Sequence, residues 1–596
     1  MKLVIVETPE KAERVSSILG KGYDVRATCG EVRRLALREL RMVAGGEFVE
    51  RYETPCERKL VLAGLCKAAQ QAESVIIATT PDRVGELLAW DVAECLPPRE
   101  RGKVRRAVLG EMTPTAVLHA ISAAGEIDMK AVDAARARRL IDHMVSRELT
   151  PLLTKWSLLP DGTPAPGLTE IAALRLLVAR EERRRETDPR PRWAIEAQLE
   201  HQGASFRATM DDETDIATSE EACGLIENLM QAETSWVVER AEHHEESDDP
   251  VFPFTTATLL DEAETLLSFS PKQAREAALA LYEAGLVTYP FTTSVHVPSE
   301  ARQAARDAAA KLVGEEHLAS ESAPGISQTT NSVGLEAIRP TDAFHLPGEV
   351  SAMTYGEHAA ALYTLIWRRF LASSMKPARY IVTLLTIRPM WRGSAEQWEK
   401  EHTYPHPTPF IAWLSTSLDD GYRRVYPAQD EDAGRDLAVE FADIESGDAL
   451  IFNQIESILK PARGLLRFTP ADLSSVLTAL RIGCPLSRTA APEQLVALGW
   501  AAVEHGEILP TPRGEDALYL CLAHFEDAFN LKVIQQLDHD LDAVAEGRAD
   551  RVRATAIFFF TKIAPALEEA RRAAGELVDD DPFIETIRPE ADKETA

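Results

Sequence analysis

Aromatic rings, cysteines and positive charge are all in short supply in this chain, and each shortage narrows what it can be. Phe, Trp and Tyr make up 6% of 596 residues, so few rings are available as contacts for a nucleic-acid strand. Seven cysteines, at 29, 56, 66, 95, 223, 484 and 521, are odd in number and show neither C-x-x-C nor paired spacing, which points to a reducing compartment and away from a zinc ribbon. No apolar run approaches the roughly 20 residues of a membrane helix. The opening MKLVIVETPEKAE has its apolar run too early and too short for a signal peptide, with an acid directly after it. A soluble cytoplasmic protein with no membrane partner is expected. Lys plus Arg number 65 against 95 Asp plus Glu, a net charge of −30, which repels polyanions at long range. A nucleic-acid partner therefore needs local evidence, and screening over about 8 Å leaves room for it.

What is present is a long chain with 45% apolar and 27% charged residues, enough for about three to five packed domains. The first hundred residues alternate strand and helix patterns. Residues 2–7 and 75–78 are β-branched runs, 11–19 and 85–96 have helical spacing, and such alternation predicts a parallel sheet with functional groups at the strand C-termini. From about 113 to 190 the pattern is helical, opened by Thr113-Pro114. A β-rich stretch follows at about 192–240, and RAEHHEESDDP at 240–250 reads as an acidic, solvated linker.

Further on, Ser270 is an N-cap with Pro271 at the first helical position. Ala274, Ala277, Ala278 and Leu281 share one face, and Gly285 ends the helix before a strand LVTY. Pro290 cannot continue an ordinary ladder, which predicts that the Tyr289 ring sits at an exposed, irregular strand end. Residues 468–512 show a winged-helix order: a helix opened by Thr469-Pro470, a break at Gly483, a second helix near 490–498, and two extended pieces around His505-Gly506. Trp367 in LIWRRF reads as a core anchor. The stretch from about 577 reads as a disordered acidic tail.

Several blocks occur together and in order: IVETPEKA (5–12), ATTPDRVGELLAW (78–90), ARRLIDHMVS (137–146), PFTTATLLDEA (253–263), LYEAGLVTYPFTTS (281–294), EAIRPTD (336–342) and LIWRRFLAS (365–373). With LPTPRG and LDHDLDAVAEG near the C-terminus, they make the chain resemble the type IA DNA topoisomerases from about residue 2 to 570. The resemblance implies a multidomain α/β plus mainly α fold, with a Toprim domain and a toroidal core. The expected division is Toprim at 1–112, a helical domain with winged-helix character at 113–190 and 464–575, a β-rich arch at 191–250 and 375–463, a gate domain at 251–374, and the tail at 576–596.

It also implies a chemistry: one strand of single-stranded or underwound DNA is cut by a tyrosine, held as a 5′-phosphotyrosine while another strand passes, and resealed by a monomeric enzyme. Tyr289 matches the nucleophile. A phenol with its pKa near 10 needs cations around the phosphate and an acid for the departing 3′ oxygen. Glu7 and Lys11 match the pair at the scissile phosphate, and Arg138 with Asp142 matches a phosphate-approaching arginine and the aspartate that orients it. Arg339, Thr341 and Thr292 fall at expected DNA-binding positions.

The family's D-x-D-x-E metal motif reads Thr80, Asp82 and Val84, leaving one of three carboxylates. Weak Mg²⁺ binding by Asp82, Glu86 and Glu7 is what remains expected. Other family positions also differ: Phe291 replaces an arginine, Leu335 a histidine, Leu168 and Glu170 the arginine and glutamine of G-R-V-Q, and Cys484-Pro485-Leu486-Ser487 stands for R-P-S-T. Each lost charged contact is worth about 1.5–3 kcal/mol. The alternative is accordingly an impaired paralogue acting as a nucleic-acid clamp or protein-interaction scaffold.

Overall fold

The computed structural model of the protein describes residues 1–36, 41–42, 48–186, 192–211, 216–231, 235–320, 335–390, 409–426, 443–460 and 465–566. The tail at 576–596 lies outside the described residues.

The N-terminal unit is built on a four-stranded parallel sheet in the order Tyr23–Ala27, Lys2–Val6, Val75–Thr79, Val104–Val108. Apart from Lys2 and Thr79 at their ends, its central strands are apolar because both faces are covered. Leu3, Ile5, Val75 and Ile77 pack with Leu65, Ala69 and Val92 on one side. Val4, Val6, Ile76 and Ala78 belong to a second cluster that takes in Phe254, Leu281, Val287 and Tyr289. The tyrosine-bearing segment thus shares a core with the N-terminal sheet, and the period-2 alternation of one short strand decides which side chains meet it.

The helices begin where the sequence marks them. Thr8, Asp82 and Thr113 cap helices Pro9–Leu19, Arg83–Cys95 and Pro114–Ser122. Ser270 and Gln273 form a reciprocal capping box on Pro271–Glu283. Helices Met129–Lys155, Leu168–Glu186, Pro470–Ala479, Pro485–Ala497, Pro512–Phe525 and Leu531–Ala545 contribute to one core, in which Trp500 is fully buried. The expected winged-helix order is present, with a hairpin Ala501–Glu504/Glu507–Pro510 turning at His505 and Gly506, both at positive φ. Its second helix starts at Pro485, earlier than expected, because Cys484 caps it and Pro485 fits the first turn.

The β-rich portion is a closed six-stranded barrel of Arg192–His201, Ala204–Met210, Ser235–Asp248, Ala378–Met390, Phe410–Asp419 and Ala449–Lys460. Here the acidic-linker expectation fails. Residues 240–248 continue the strand Ser235–Asp248 and pair in register with the strand Ala378–Met390 as far as Asp248↔Ala378. The backbone ladder carries this half of the strand, and most of its acidic side chains point to solvent. The helix Ser219–Gln231, which no sequence signal suggested, lies between two of the strands in the chain. Trp367 is a core anchor, its Nε1–H donating to the Ala343 carbonyl at 2.9 Å. All seven cysteines are free. Among the described residues no helix is long and apolar enough to cross a membrane.

Candidate active site

The expected strand LVTY is instead an irregular loop. Gly285, at φ +75°, ends the preceding helix, and a Cβ there would lie 2.7 Å from the Met112 carbonyl oxygen. The close approach of the two segments therefore requires glycine as much as the left-handed backbone does. Beyond it Val287 makes one isolated bridge to Pro340. Thr288 N–H donates to the Arg339 carbonyl at 3.0 Å, and Tyr289 N–H donates to the Gly110 carbonyl at 2.9 Å. The Thr288 bond belongs to that same short pairing with residues 339–341, whereas Tyr289 turns to a different segment, so the ladder does not continue.

The Tyr289 ring is not at an exposed end either. It is 6% exposed, set edge-on between Tyr282 and Phe291 with both centroids 5.5 Å away. Its hydroxyl donates to Asp82 Oδ2 at 2.5 Å. Burial, and then the neighbouring Asp82 carboxylate, push the phenol well above its ordinary value of 10.0. The apolar faces of the helix-loop segment and of the sheet account for this burial, since Tyr289 belongs to the core they share.

From Asp82 the bonds run on. Thr80 Oγ1–H donates to Asp82 Oδ1 at 3.0 Å, and Thr80 N–H donates to Glu7 Oε1 at 2.6 Å. Lys11 Nζ, one helical turn from Glu7, donates to Glu7 Oε2 at 3.2 Å and sits 4.9 Å over the Tyr282 ring. Tyr289, Asp82, Thr80, Glu7 and Lys11 are therefore one hydrogen-bonded chain, four of whose members lie just beyond the ends of adjacent parallel strands, where open α/β sheets place their sites.

Arg138 and Asp142 form a second group. Arg138 is shared between Asp142 Oδ2 at 2.7 Å, Asp538 Oδ1 at 2.5 Å and Thr169 Oγ1 at 2.8 Å. Asp142 also accepts from Leu168 N–H at 3.1 Å. The two carboxylates outweigh the cost of burial and hold the guanidinium above its ordinary range. Its bonds reach neither Tyr289 nor the Glu7–Lys11 pair. Glu170, next to this group, is pushed up to about 7, first by burial and then by Asp142.

The three expected DNA-binding residues all serve the tyrosine loop in this arrangement. Thr292 is fully buried, and its hydroxyl accepts from Ser294 N–H at 2.9 Å. Thr341 donates to the Gly285 carbonyl at 2.7 Å. Arg339, 4% exposed, bonds Glu111 at 2.5 Å and Glu336 at 2.7 Å. Thr292 therefore offers no surface to a strand here, and its place is within the bracing of the loop.

Weak Mg²⁺ binding by Asp82, Glu86 and Glu7 does not fit this geometry. Glu86 lies beneath the strand end, its Oε2 paired with Arg106 Nε at 2.6 Å and its Oε1 accepting Asp128 N–H at 2.7 Å. Among the described residues no three His, Cys, Asp or Glu side chains are grouped to hold a metal ion. The important residues that sequence reasoning passed over are Arg106, Glu111, Tyr282, Thr169 and Asp538. Asp538 lies in LDHDLDAVAEG and Tyr282 in LYEAGLVTYPFTTS, so their blocks were visible although their roles were not.

A fold joining a Toprim-type sheet to a tyrosine loop at its strand ends defines a class, and the comparisons agree with it. The Toprim domain model matches residues 2–111, and the DNA topoisomerase family model matches residues 126–555. The chain belongs to the DNA topoisomerase family, in its type IA branch. Among solved structures it is similar to full-length topoisomerase I from Thermotoga maritima, at 27% identity and a TM-score of 0.77 over 94% of this chain and 89% of that chain. Type IA topoisomerases bind single-stranded DNA, and Toprim domains generally bind Mg²⁺.

Proposed function

We propose that this chain cuts and reseals one DNA strand through a 5′-phosphotyrosine on Tyr289, letting another strand pass while the break is held. One observation carries the proposal: the Tyr289 hydroxyl lies 2.5 Å from Asp82, which Thr80 connects to the Glu7–Lys11 pair. The substrate is single-stranded or underwound DNA, and the protein acts as a cytoplasmic monomer. The proposed division of labour gives residues 1–112 the phosphate side, 251–374 the tyrosine, 113–190 with 464–575 the strand groove, and 191–250 with 375–463 the arch.

In cleavage the phenol oxygen bonds to phosphorus and the P–O3′ bond breaks. The phenolic proton passes to Asp82 Oδ2, and the departing 3′ oxygen takes a proton from Glu7, which has to carry it when the strand is bound, so Asp82 ends with one proton more and Glu7 with one fewer. Resealing reverses both transfers. The Lys11 ammonium offsets charge on the phosphate oxygens. Arg138, oriented by Asp142, holds the strand further along, and Arg339 and Thr341 keep the tyrosine loop in register. Tyr289 is buried, so DNA entry requires the gate segment to lift. The contacts that part include Tyr289 N–Gly110 O, Tyr282 Oη–Leu109 O and Arg339–Glu111.

The test is a labelled single-stranded oligonucleotide mixed with the purified protein and then denatured. A covalent adduct is expected, and Tyr289→Phe, which keeps the ring packing, should abolish it. A folded protein that gives no adduct would favour the clamp or scaffold alternative.

A further inference from the structure

We propose, resting on the activity just described, that this chain reseals DNA without a divalent cation, because protein donors already occupy the carboxylate oxygens that a metal-dependent site would leave for the ion. In this closed arrangement each of the six oxygens of the three carboxylates accepts at least one protein hydrogen bond. Asp82 Oδ1 accepts from Thr80 Oγ1 at 3.0 Å and from Gly85 N–H at 2.7 Å, and its Oδ2 accepts from Tyr289. Glu86 gives one oxygen to Arg106 and the other to the Asp128 amide. Glu7 gives one to the Thr80 amide and the other to Lys11.

A hard cation such as Mg²⁺ demands near-octahedral oxygen coordination, and here it would have to strip several of these bonds at once. Taking Glu86 would leave the Arg106 guanidinium, 2% exposed, without its counter-ion, which is a strongly unfavourable state for a buried charge. Arg106 also donates to the Thr79 and Thr80 carbonyls at 3.1 and 2.7 Å. A fixed positive charge thus stands directly behind the strand end. Thr80 supplies a donor rather than a ligand, and Val84 is 45% exposed on the helix. With Lys11 on the other side, the site carries permanent cations of its own.

The experiment uses the full-length protein in EDTA and in MgCl₂, with two independent readouts. Thermal denaturation and isothermal titration with MgCl₂ alone should show no magnesium-dependent rise in melting temperature and no saturable heat. Adducts formed on a labelled oligonucleotide should rejoin to a 3′-hydroxyl acceptor at the same rate in EDTA as in MgCl₂. A saturable magnesium isotherm, or adducts that form in EDTA and rejoin only after magnesium is added, would overturn the inference while leaving the tyrosine chemistry intact. Absence of a Tyr289-dependent adduct in both buffers would instead overturn the activity, and the magnesium titration would still decide whether the carboxylates take the ion.

Discussion

Replacing Glu170 by glutamine should stabilise the protein at alkaline pH and leave it unchanged at acid pH. Glu170 is 8% exposed and lies beside Asp142. Its Oε2 and Asp142 Oδ1 crowd the same point, 3.3 and 2.9 Å from where a Cβ on Gly167 would sit. Burial first, and then Asp142, raise its carboxyl from the ordinary 4.5 to about 7 in the folded protein. The folded state therefore holds this proton more tightly than the unfolded state does. Stability from the group is fully present below about pH 4.5, is lost as pH rises toward 7, and above that the ionised carboxylate is a constant penalty. At about 1.4 kcal/mol per tenfold change in proton affinity the penalty is on the order of 3 kcal/mol. Glutamine has nearly the same shape and never ionises. Hydrogen exchange of the helix Leu168–Glu186, followed at pH 5 and pH 8 in both proteins, should show added protection for Glu170→Gln that is several times larger in free energy at pH 8 than at pH 5. Equal protection at pH 8, or a difference of the same size at both pH values, would refute the reasoning.

Other consequences are shorter to state. Glu111→Gln weakens the charge-assisted bond to Arg339 that joins the gate segment to the N-terminal unit, a contact of about 1.5–3 kcal/mol. Exchange at residues 286–292 should speed up, and unchanged exchange would show that this pair does not clasp the gate. In Gly85→Ala the new Cβ would fall 2.3 Å from the Thr80 carbonyl oxygen and 2.5 Å from its hydroxyl. Asp82 and Thr80 should be displaced and adduct formation lost, whereas an active variant would mean that the strand end can move freely. Trp500→Ala empties a fully buried site and loses the 2.7 Å bond from its Nε1–H to the Leu158 carbonyl. A cost of about 3–5 kcal/mol should lower the urea midpoint of the helical portion.

Local chemistry made much of this legible in the sequence. Thr8, Asp82, Thr113 and Ser270 announced their helices because a short polar side chain before Pro or an apolar period satisfies otherwise orphaned N–H groups. The parallel sheet was legible because its central strands are buried on both faces and so read as short apolar runs. The acidic strand at 240–248 was not, since a ladder along an exposed face is held by backbone bonds that leave no hydrophobic alternation behind. The surroundings of Tyr289 were also hidden. Its burial depends on Leu109, Gly110 and Asp82, more than 170 residues away in the chain, and no local period carries such a contact. The pairing of Glu86 was hidden for a related reason: its partner, Arg106, lies on the next strand of the sheet.

A strongly acidic protein can still work on a polyanion if its cations are kept from solvent and released at the point of contact, and the ion pairs here have that form. Lys11 holds Glu7, Arg106 holds Glu86, Arg138 holds Asp142 and Asp538, and Arg339 holds Glu111 and Glu336. If a phosphate binds at Lys11 or Arg138 as proposed, it exchanges one anion for another, and the displaced carboxylate must gather its own counter-ion or find a new donor. Counterion release from DNA is then partly cancelled by uptake at the protein, so log affinity should fall with log salt less steeply than the number of engaged cations implies. Long-range attraction is weak at a net charge of −30, so under the proposed strand cleavage capture would depend on Tyr289, Lys11 and the phosphate meeting at short range.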